Sequence, residues 1–316
     1  MINTLVTKYH KNIKLRCSRG LGVVNDIVSL LNELSLGNFH FEIGLLLRQS
    51  MLISMLLNNA ECWLNMTKND IDELEEVDLI LLKKLLEAPS TTPVPAIYLE
   101  LGCIPLSFLL KSKRLMFLHY ILQEEKDSLI SRVFWAQVRN PVKNDWAVIV
   151  QEDLEELEIT ENFQQIELCT KNAWKSKVKK IIQEKAFKFL MDQVKDRNMT
   201  KIKNNEYSEL KMQEYFKNSE ASKALKKFTF KLRTRMVDVG ENFGKKEICK
   251  VCQVGDTRND QKHLLQCVFL HSAPELAANK FTKYNDIYGE DANEVVKLAK
   301  LIFKSYRKRE IFLEER

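Results

Sequence analysis

One arrangement in this sequence has residue types and intervals that dictate a chemistry: Cys249-x2-Cys252-x10-His263-x3-Cys267. Two thiolates separated by two residues can grip one ion from a tight turn, and a His and a Cys four apart share one side of a helical turn. Three sulfurs and one imidazole form the tetrahedral donor set of a closed structural Zn²⁺ site, with no open position for a substrate. Gly255-Asp256 is expected to supply the loop between the two halves. His271 follows Cys267 at the same x3 interval, so the imidazole ligand is either His263 or His271. The alternative to zinc is a chance cluster of reduced cysteines. Metal binding and folding are coupled in such small modules, where apparent zinc affinities reach about 10 to 16 kcal/mol. Residues 244–272 are therefore expected to unfold locally without metal.

The second feature is charge. Residues 171–235 carry 19 Lys+Arg against 7 Asp+Glu, whereas residues 1–170 carry 16 against 23 and residues 236–316 carry 14 against 13. A basic stretch in an otherwise acidic-to-neutral chain of net charge +6 points to one polyanion-binding surface. Its candidate contacts are Lys175, Lys179, Lys180, Lys226, Lys227, Lys231, Arg233 and Arg235. Phe228 and Phe230 are interleaved with them. Such a surface neutralises phosphates while exposed aromatics stack on unpaired bases. The competing reading makes the aromatics core and the lysines an ordinary solvated face.

Other chemistry finds no footing. There is no Gly-x-Ser-x-Gly elbow, no phosphate loop ending in Gly-Lys-Ser/Thr and no His-Glu-x-x-His. His10, His40 and His119 are isolated. The carboxylates Asp70, Asp72, Glu73, Glu75, Glu76 and Asp78 read as the solvated face of an amphipathic helix. Of seven cysteines, Cys17, Cys62, Cys103 and Cys169 stand singly and are expected to behave as small buried hydrophobes. A reducing, intracellular setting, nuclear or cytoplasmic, follows from that usage.

The elements that must position these residues are helices. With 45% apolar residues the 316-residue chain can bury a sizeable core, and nine Gly and six Pro are too few for the turns of an all-β fold. Ile71, Leu74, Val77, Leu81, Leu82 and Leu85 recur at helical spacing, with Thr67 as N-cap and Lys83 and Lys84 in the last turns. Pro89 to Pro95 ends that helix. Further helices are expected over Leu106–Gln123, Ser128–Val138, Trp146–Leu157 capped by Asp145, Asn172–Val194, Ser208–Arg235 and Ala292–Arg309. A strand is the alternative around 227–236, where the pattern also alternates. The segment Ile43–Ala60 is interrupted by Arg48, Gln49, Asn58 and Asn59, short of the roughly 18 uncharged residues of a membrane helix. It reads as a buried core helix. Met1 to Leu15, with Lys8, Lys11 and Lys14, lacks the apolar run of a secretory signal.

The resulting fold class is mainly α: amphipathic helical segments, then a small CCHC knuckle and a C-terminal helix. The segments are 1–88, a Pro-rich linker at 89–95, 96–170, a basic region at 171–240, the knuckle at 241–275, and 276–316.

An ordered series of short motifs carries a resemblance. Ser18-Arg19-Gly20-Leu21-Gly22, Phe41-Glu42-Ile43 leading to Leu47-Arg48-Gln49-Ser50-Met51, and Asn59-Ala60-Glu61-Cys62-Trp63 come first. Leu74-Glu75-Glu76-Val77-Asp78, Tyr98-Leu99-Glu100-Leu101-Gly102-Cys103-Ile104-Pro105, Tyr207-Ser208-Glu209-Leu210-Lys211 and Arg233-Thr234-Arg235-Met236 follow, then the knuckle. Over nearly its whole length the chain resembles the region after the palm of non-LTR retrotransposon reverse transcriptases. The resemblance implies a thumb-like helical region at 1–88 that holds nucleic acid, a linker, and a zinc knuckle with Cys249, Cys252, His263 and Cys267 as ligands. Family knuckles more often have a shorter central gap and a longer last one. No Asp-Asp pair occurs in the chain, so the paired-aspartate metal site of the polymerase palm is absent and no catalysis is expected.

Three functions compete on these grounds. The first is a non-catalytic module that binds RNA or DNA through its backbone, without membrane or small-molecule substrate. The second is a zinc-containing helical scaffold that docks an acidic protein. The third is one piece of a larger polymerase, or an inert remnant of a retroelement. Oligomeric state is not encoded in any pattern found.

Overall fold

The computed structural model describes residues 2–34, 36–64, 66–196, 202, 204–245, 247–255, 257–272, 274–276 and 283–315. The chain is mainly helical. Among the described residues there is no sheet, only two isolated antiparallel bridges, Leu101 with Met212 and Ile248 with Arg258. It forms two compact units, residues 1–30, 45–81 and 104–190 in the first and residues 31–44, 82–103 and 191–316 in the second. No single described helix is long and apolar enough to cross a membrane.

In the first unit, α1 (Ile2–Glu33) turns Ile13, Gly20, Val24 and Ile27 inward at helical spacing. Gly20 is required there: a Cβ would stand 2.9 Å from both Leu56 and Val77 side chains. The expected core helix from Ile43 comprises α2 (His40–Leu47), a π-helical turn over Arg48–Ile53, and α3 (Ser54–Leu56). Only one face is buried, since Leu46 and Met51 are exposed. The buried Arg48 guanidinium makes two bonds to Asp78, at 2.6 and 2.7 Å, and a third to the Ile104 carbonyl. Asp78 belongs to α4 (Lys68–Leu86), the helix expected from the Ile71-to-Leu85 repeat. Thr67 and Asp70 cap it reciprocally, the Thr67 hydroxyl accepting from the Asp70 amide and the Asp70 carboxylate accepting from the Thr67 amide. The acidic face of α4 is not simply solvated. Asp78 meets Arg48, Asp70 meets His10 at 2.8 Å, and Glu75 accepts from the Ser107 amide and hydroxyl. Asp72 and Glu76 are exposed as expected.

Around α6 (Leu106–Gln123) pack α7 (Leu129–Arg139), α8 (Trp146–Glu156) and α9 (Phe163–Leu168). Ser128 caps α7 through the Ser131 amide, whereas the Asp145 carboxylate bonds back to the Val142 amide. A buried two-bond pair, Arg114 with Asp153, ties α6 to α8. Trp174, fully buried near the start of α10 (Lys171–Asp196), donates its indole N–H to the Leu115 carbonyl.

In the second unit, Pro89 to Pro95 is a turn with Pro95 in the first turn of α5 (Val94–Leu101). Helix α5 ends at Gly102, at φ 64°, where any Cβ would stand 2.1 Å from the Lys211–Met212 backbone. That backbone explains a correction: residues 208–222 form no α-helix, only a 3₁₀ turn over Glu214–Phe216. The Met212 bridge to Leu101 and the Gln213 amide bond to the Glu100 carbonyl hold residues 212–213 against the end of α5. The helix is confined to α11 (Lys223–Arg233), capped by Ser222, and the strand alternative at 227–236 gives way to it. Both Phe228 and Phe230 are buried because α11 is covered on several sides, by α12 (Ala292–Glu314) among others.

The Glu100 carboxylate, with no solvent exposure, is the hub of this unit. It accepts from Arg233 Nε at 2.8 Å, the Tyr207 hydroxyl at 2.8 Å, the Tyr215 hydroxyl at 2.9 Å and the Asn205 amide at 3.2 Å. Burial pushes the pKa values of Tyr207 and Tyr215 well above the usual phenol value, and the charge on Glu100 adds to the shift. Burial works against the Arg233 charge, yet Glu100, then the two tyrosines, hold its pKa above the ordinary guanidinium value. Replacing Glu100 by Gln leaves a buried guanidinium without a counter-charge. This variant is expected to lose about 3 to 5 kcal/mol in urea denaturation. Replacing Glu100 and Arg233 together by Met is expected to cost less than Glu100→Gln alone. Equal losses in the two proteins would argue against a coupled pair.

Candidate metal centre

The four side chains of the Cys/His spacing meet in the second unit. Ile248 and Arg258 bridge, the Cys249 amide donates to the Thr257 carbonyl at 3.0 Å, and the Asn259 amide donates to the Glu247 carbonyl at 2.9 Å. These bonds pair residues 247–249 with residues 257–259. Gln253, at φ 51°, and the Gln253 amide bond to the Cys249 carbonyl form the tight turn that carries Cys249 and Cys252. Gly255 lies in the loop, and Asp256, the other expected loop residue, lies outside the described residues. On the opposite side the Asp260 carboxylate accepts from the His263 amide at 2.6 Å and starts a 3₁₀ turn over His263–Leu265. Cys267 comes one turn later.

The donor atoms of Cys249, Cys252, His263 and Cys267 all lie within 4.8 Å of one another. The Cys249 and Cys267 sulfurs are 4.0 Å apart, and Cys252 Sγ is 3.4 Å from His263 Nε2. Around a tetrahedral ion bound at about 2.3 Å by sulfur and about 2.0 to 2.1 Å by nitrogen, donors stand roughly 3.5 to 3.8 Å apart. The group is thus near the size of an ion's coordination shell. All three cysteines are buried. It could hold a metal ion.

Its protonation fits that role. The Cys267 thiol, bonded to Cys249, holds the Cys249 sulfur far below the usual thiol range, while the same bond and burial push Cys267 above it. Burial opposes ionisation of Cys252, but the Thr257 hydroxyl and the Val254 amide carry it lower. The sulfurs of Cys249 and Cys252 raise the His263 pKa against burial, that of Cys249 most. A divalent cation relieves such a cluster of shared protons by replacing them.

His271 is not in the group. Its Nε2 lies 2.8 Å from the Leu264 carbonyl and 3.0 Å from the Ser305 hydroxyl, which fastens the end of the knuckle to α12. The question the spacing left open falls on the His263 side. Leu264, Leu265 and Leu270 are buried beside it, Gln261 donates to the Leu232 carbonyl at the end of α11, and Lys308 of α12 donates to the Leu270 carbonyl.

The basic residues divide. Lys175, Lys179 and Lys180 are exposed on α10, and with Lys171 the first two form an i, i+4, i+8 row. None of Lys171, Lys175 and Lys179 has a carboxylate partner among the described residues, while Lys180 stands 3.9 Å from Glu184. Lys226, Lys227 and Arg233 are buried instead. Their cationic groups lie against the Asn38 carbonyl, Glu87 and Glu100 in turn. They bind the protein to itself, and a phosphate cannot reach Arg233. Lys231 and Arg235 are half-buried. Phe228 and Phe230 are core, not stacking platforms.

The single cysteines also divide: Cys103 is buried, Cys17 and Cys169 are half-buried, and Cys62 is exposed, against expectation. Burial, with Glu73 and Glu76, pushes the Cys17 thiol up to about 11. No family model, curated protein or solved structure matches the chain.

The geometry makes a direct distinction between the two histidines. His263→Ala is expected to abolish the tetrahedral Co²⁺ absorption spectrum of the substituted protein. His271→Ala is expected to keep it with one ion per chain. The reverse pattern would place the imidazole ligand at His271.

Proposed function

We propose that this chain is a zinc-bearing, helix-rich nucleic-acid-binding module of the kind found after the palm of non-LTR retrotransposon reverse transcriptases. The observation that carries the reading is the convergence of Cys249, Cys252, His263 and Cys267. Three thiols and one imidazole favour Zn²⁺ over hard cations, which prefer oxygen. Four protein donors leave the ion no free position, so the role of zinc is structural and the module binds rather than catalyses.

The exposed row Lys171, Lys175 and Lys179, with Lys180 and Lys188 on the same helix, supports a backbone-directed contact with RNA or DNA. Such a contact reads charge and spacing, not sequence. The scaffold reading draws on a different observation: Lys226 and Arg233 are spent inside the protein, so the surface is less basic than the sequence is.

Binding to an RNA/DNA hybrid is expected to fall steeply with salt, with a log–log slope of roughly −0.9 per phosphate neutralised. Lys175→Glu with Lys179→Glu is expected to weaken it at least tenfold. Chelation is expected to make residues 244–272 cleavable by protease. A slope near zero, or a double variant that binds as well as the parent, would move the function to the protein scaffold.

A further inference from the structure

Lys223, Lys227 and Lys231 stand at i, i+4 and i+8 on α11 and line a cleft of about 540 Å³ in the second unit. That volume is in the range of small-ligand sites, about 300 to 1,000 Å³. The lining sets these three lysines against two carboxylates, Glu87 and Asp238, and so keeps a positive excess. Glu87 is bonded to Lys227 at 2.5 Å, while Lys223 and Lys231 have no ion pair among the described residues. Burial, then the neighbouring Lys227, makes the Lys223 charge harder to hold. The buried His40 feels the same field, its pKa lowered to about 4 by burial, then Lys223 and Lys227. An anion in the cleft would offset the mutual repulsion of Lys223 and Lys227.

The opposite wall is aromatic. Phe303 and Tyr306 of α12 are half-exposed and packed on Phe228, with ring centroids 4.8 and 5.2 Å from it. The Arg307 guanidinium lies 5.7 Å from the Phe303 centroid. A bare anion has no use for such a wall, and an acidic peptide needs none. A nucleotide has both the phosphate and the flat apolar ring that the two walls call for.

We propose that this cleft receives a short single-stranded nucleic-acid segment, with phosphates along the Lys223–Lys231 row and a base against Phe303 and Tyr306. The row spans about 12 Å along the helix axis, enough for two successive phosphates. This site is separate from the α10 row, but it rests on the reading of the chain as a nucleic-acid-binding module.

The test is calorimetric titration of the full chain with a 5′-phosphorylated dinucleotide, and with pyrophosphate as the probe that has charge but no base. The dinucleotide is expected to bind at least tenfold more tightly than pyrophosphate. Lys223→Glu with Lys231→Glu is expected to weaken it at least tenfold at unchanged melting temperature, and Phe303→Leu severalfold. Should the double variant not fold, Lys231→Ala alone is expected to weaken it about threefold. Lys175→Glu with Lys179→Glu is expected to leave dinucleotide binding unchanged while hybrid binding falls. No dinucleotide binding at millimolar concentration, equal affinity for pyrophosphate, or indifference to the α11 substitutions would overturn the site. If the hybrid still binds through the α10 row, only the cleft proposal fails. If neither probe binds, the nucleic-acid reading fails with it.

Discussion

Glu100 carries a carboxylate where no water reaches it, and the surrounding part of the second unit is arranged to keep that group satisfied. Arg233 supplies the counter-charge and two tyrosine hydroxyls and an asparagine amide complete its bonds. The same guanidinium donates onward to the carbonyls of Ile287 and Gly289, just before α12. The Glu100 carboxylate therefore ties the C-terminal end of α11, Asn205, Tyr207 and Tyr215, and the approach to α12 to α5. Buried pairs of this kind add little net stability compared with a well-packed apolar core, but breaking one is costly. Their effect is to make alternative packings expensive. The first unit uses the device twice more, in Arg48 with Asp78 and Arg114 with Asp153.

The Cys/His group depends on that anchoring. Its paired residues 247–249 and 257–259 and its 3₁₀ turn are too small to bury a core of their own, and they are held by bonds to α11 and α12 on either side. Gln261 bonds to Leu232, adjacent to Arg233, while Asn242 bonds to the Val237 carbonyl and His271 meets Ser305. A bound ion would close the remaining gap, joining Cys249 and Cys252 on one side of the loop to His263 and Cys267 on the other. The same helices that brace the group, α11 and α12, also form the walls of the lysine and aromatic cleft. On α12 the bracing residues Ser305 and Lys308 and the cleft residues Phe303 and Tyr306 thus lie on different faces.

Much of this was legible in the sequence, and the misses have physical causes. Helix positions followed from periodicity and, at Thr67, from the capping residue, because those signals are local. The three cysteines of the group followed from spacing, which left His263 and His271 open; only the fold brings His263 to the sulfurs. What spacing could not reveal was direction. Lys226, Lys227 and Arg233 belong to a basic run, but a cation on a helix covered on several faces can find a backbone carbonyl or a carboxylate of the protein as readily as solvent. Asp70 and Asp78 were read as solvated for the same reason, since their partners His10 and Arg48 are 60 and 30 residues away. Residues 208–222 carry a helical pattern, yet the backbone of α5 captured them. The motifs containing Glu100, Tyr207 and Arg233 looked like separate fragments in the sequence, and their common cause is one buried charge.

Cys249, Cys252, His263 and Cys267 are proposed to hold one zinc ion. X-ray absorption at the zinc edge of the purified chain tests it most directly. The account predicts one zinc per chain with three sulfurs at about 2.3 Å and one nitrogen at about 2.0 to 2.1 Å. A shell of oxygen and nitrogen without sulfur, or a zinc-free protein whose Cys249 and Cys267 are joined as a disulfide, would contradict it.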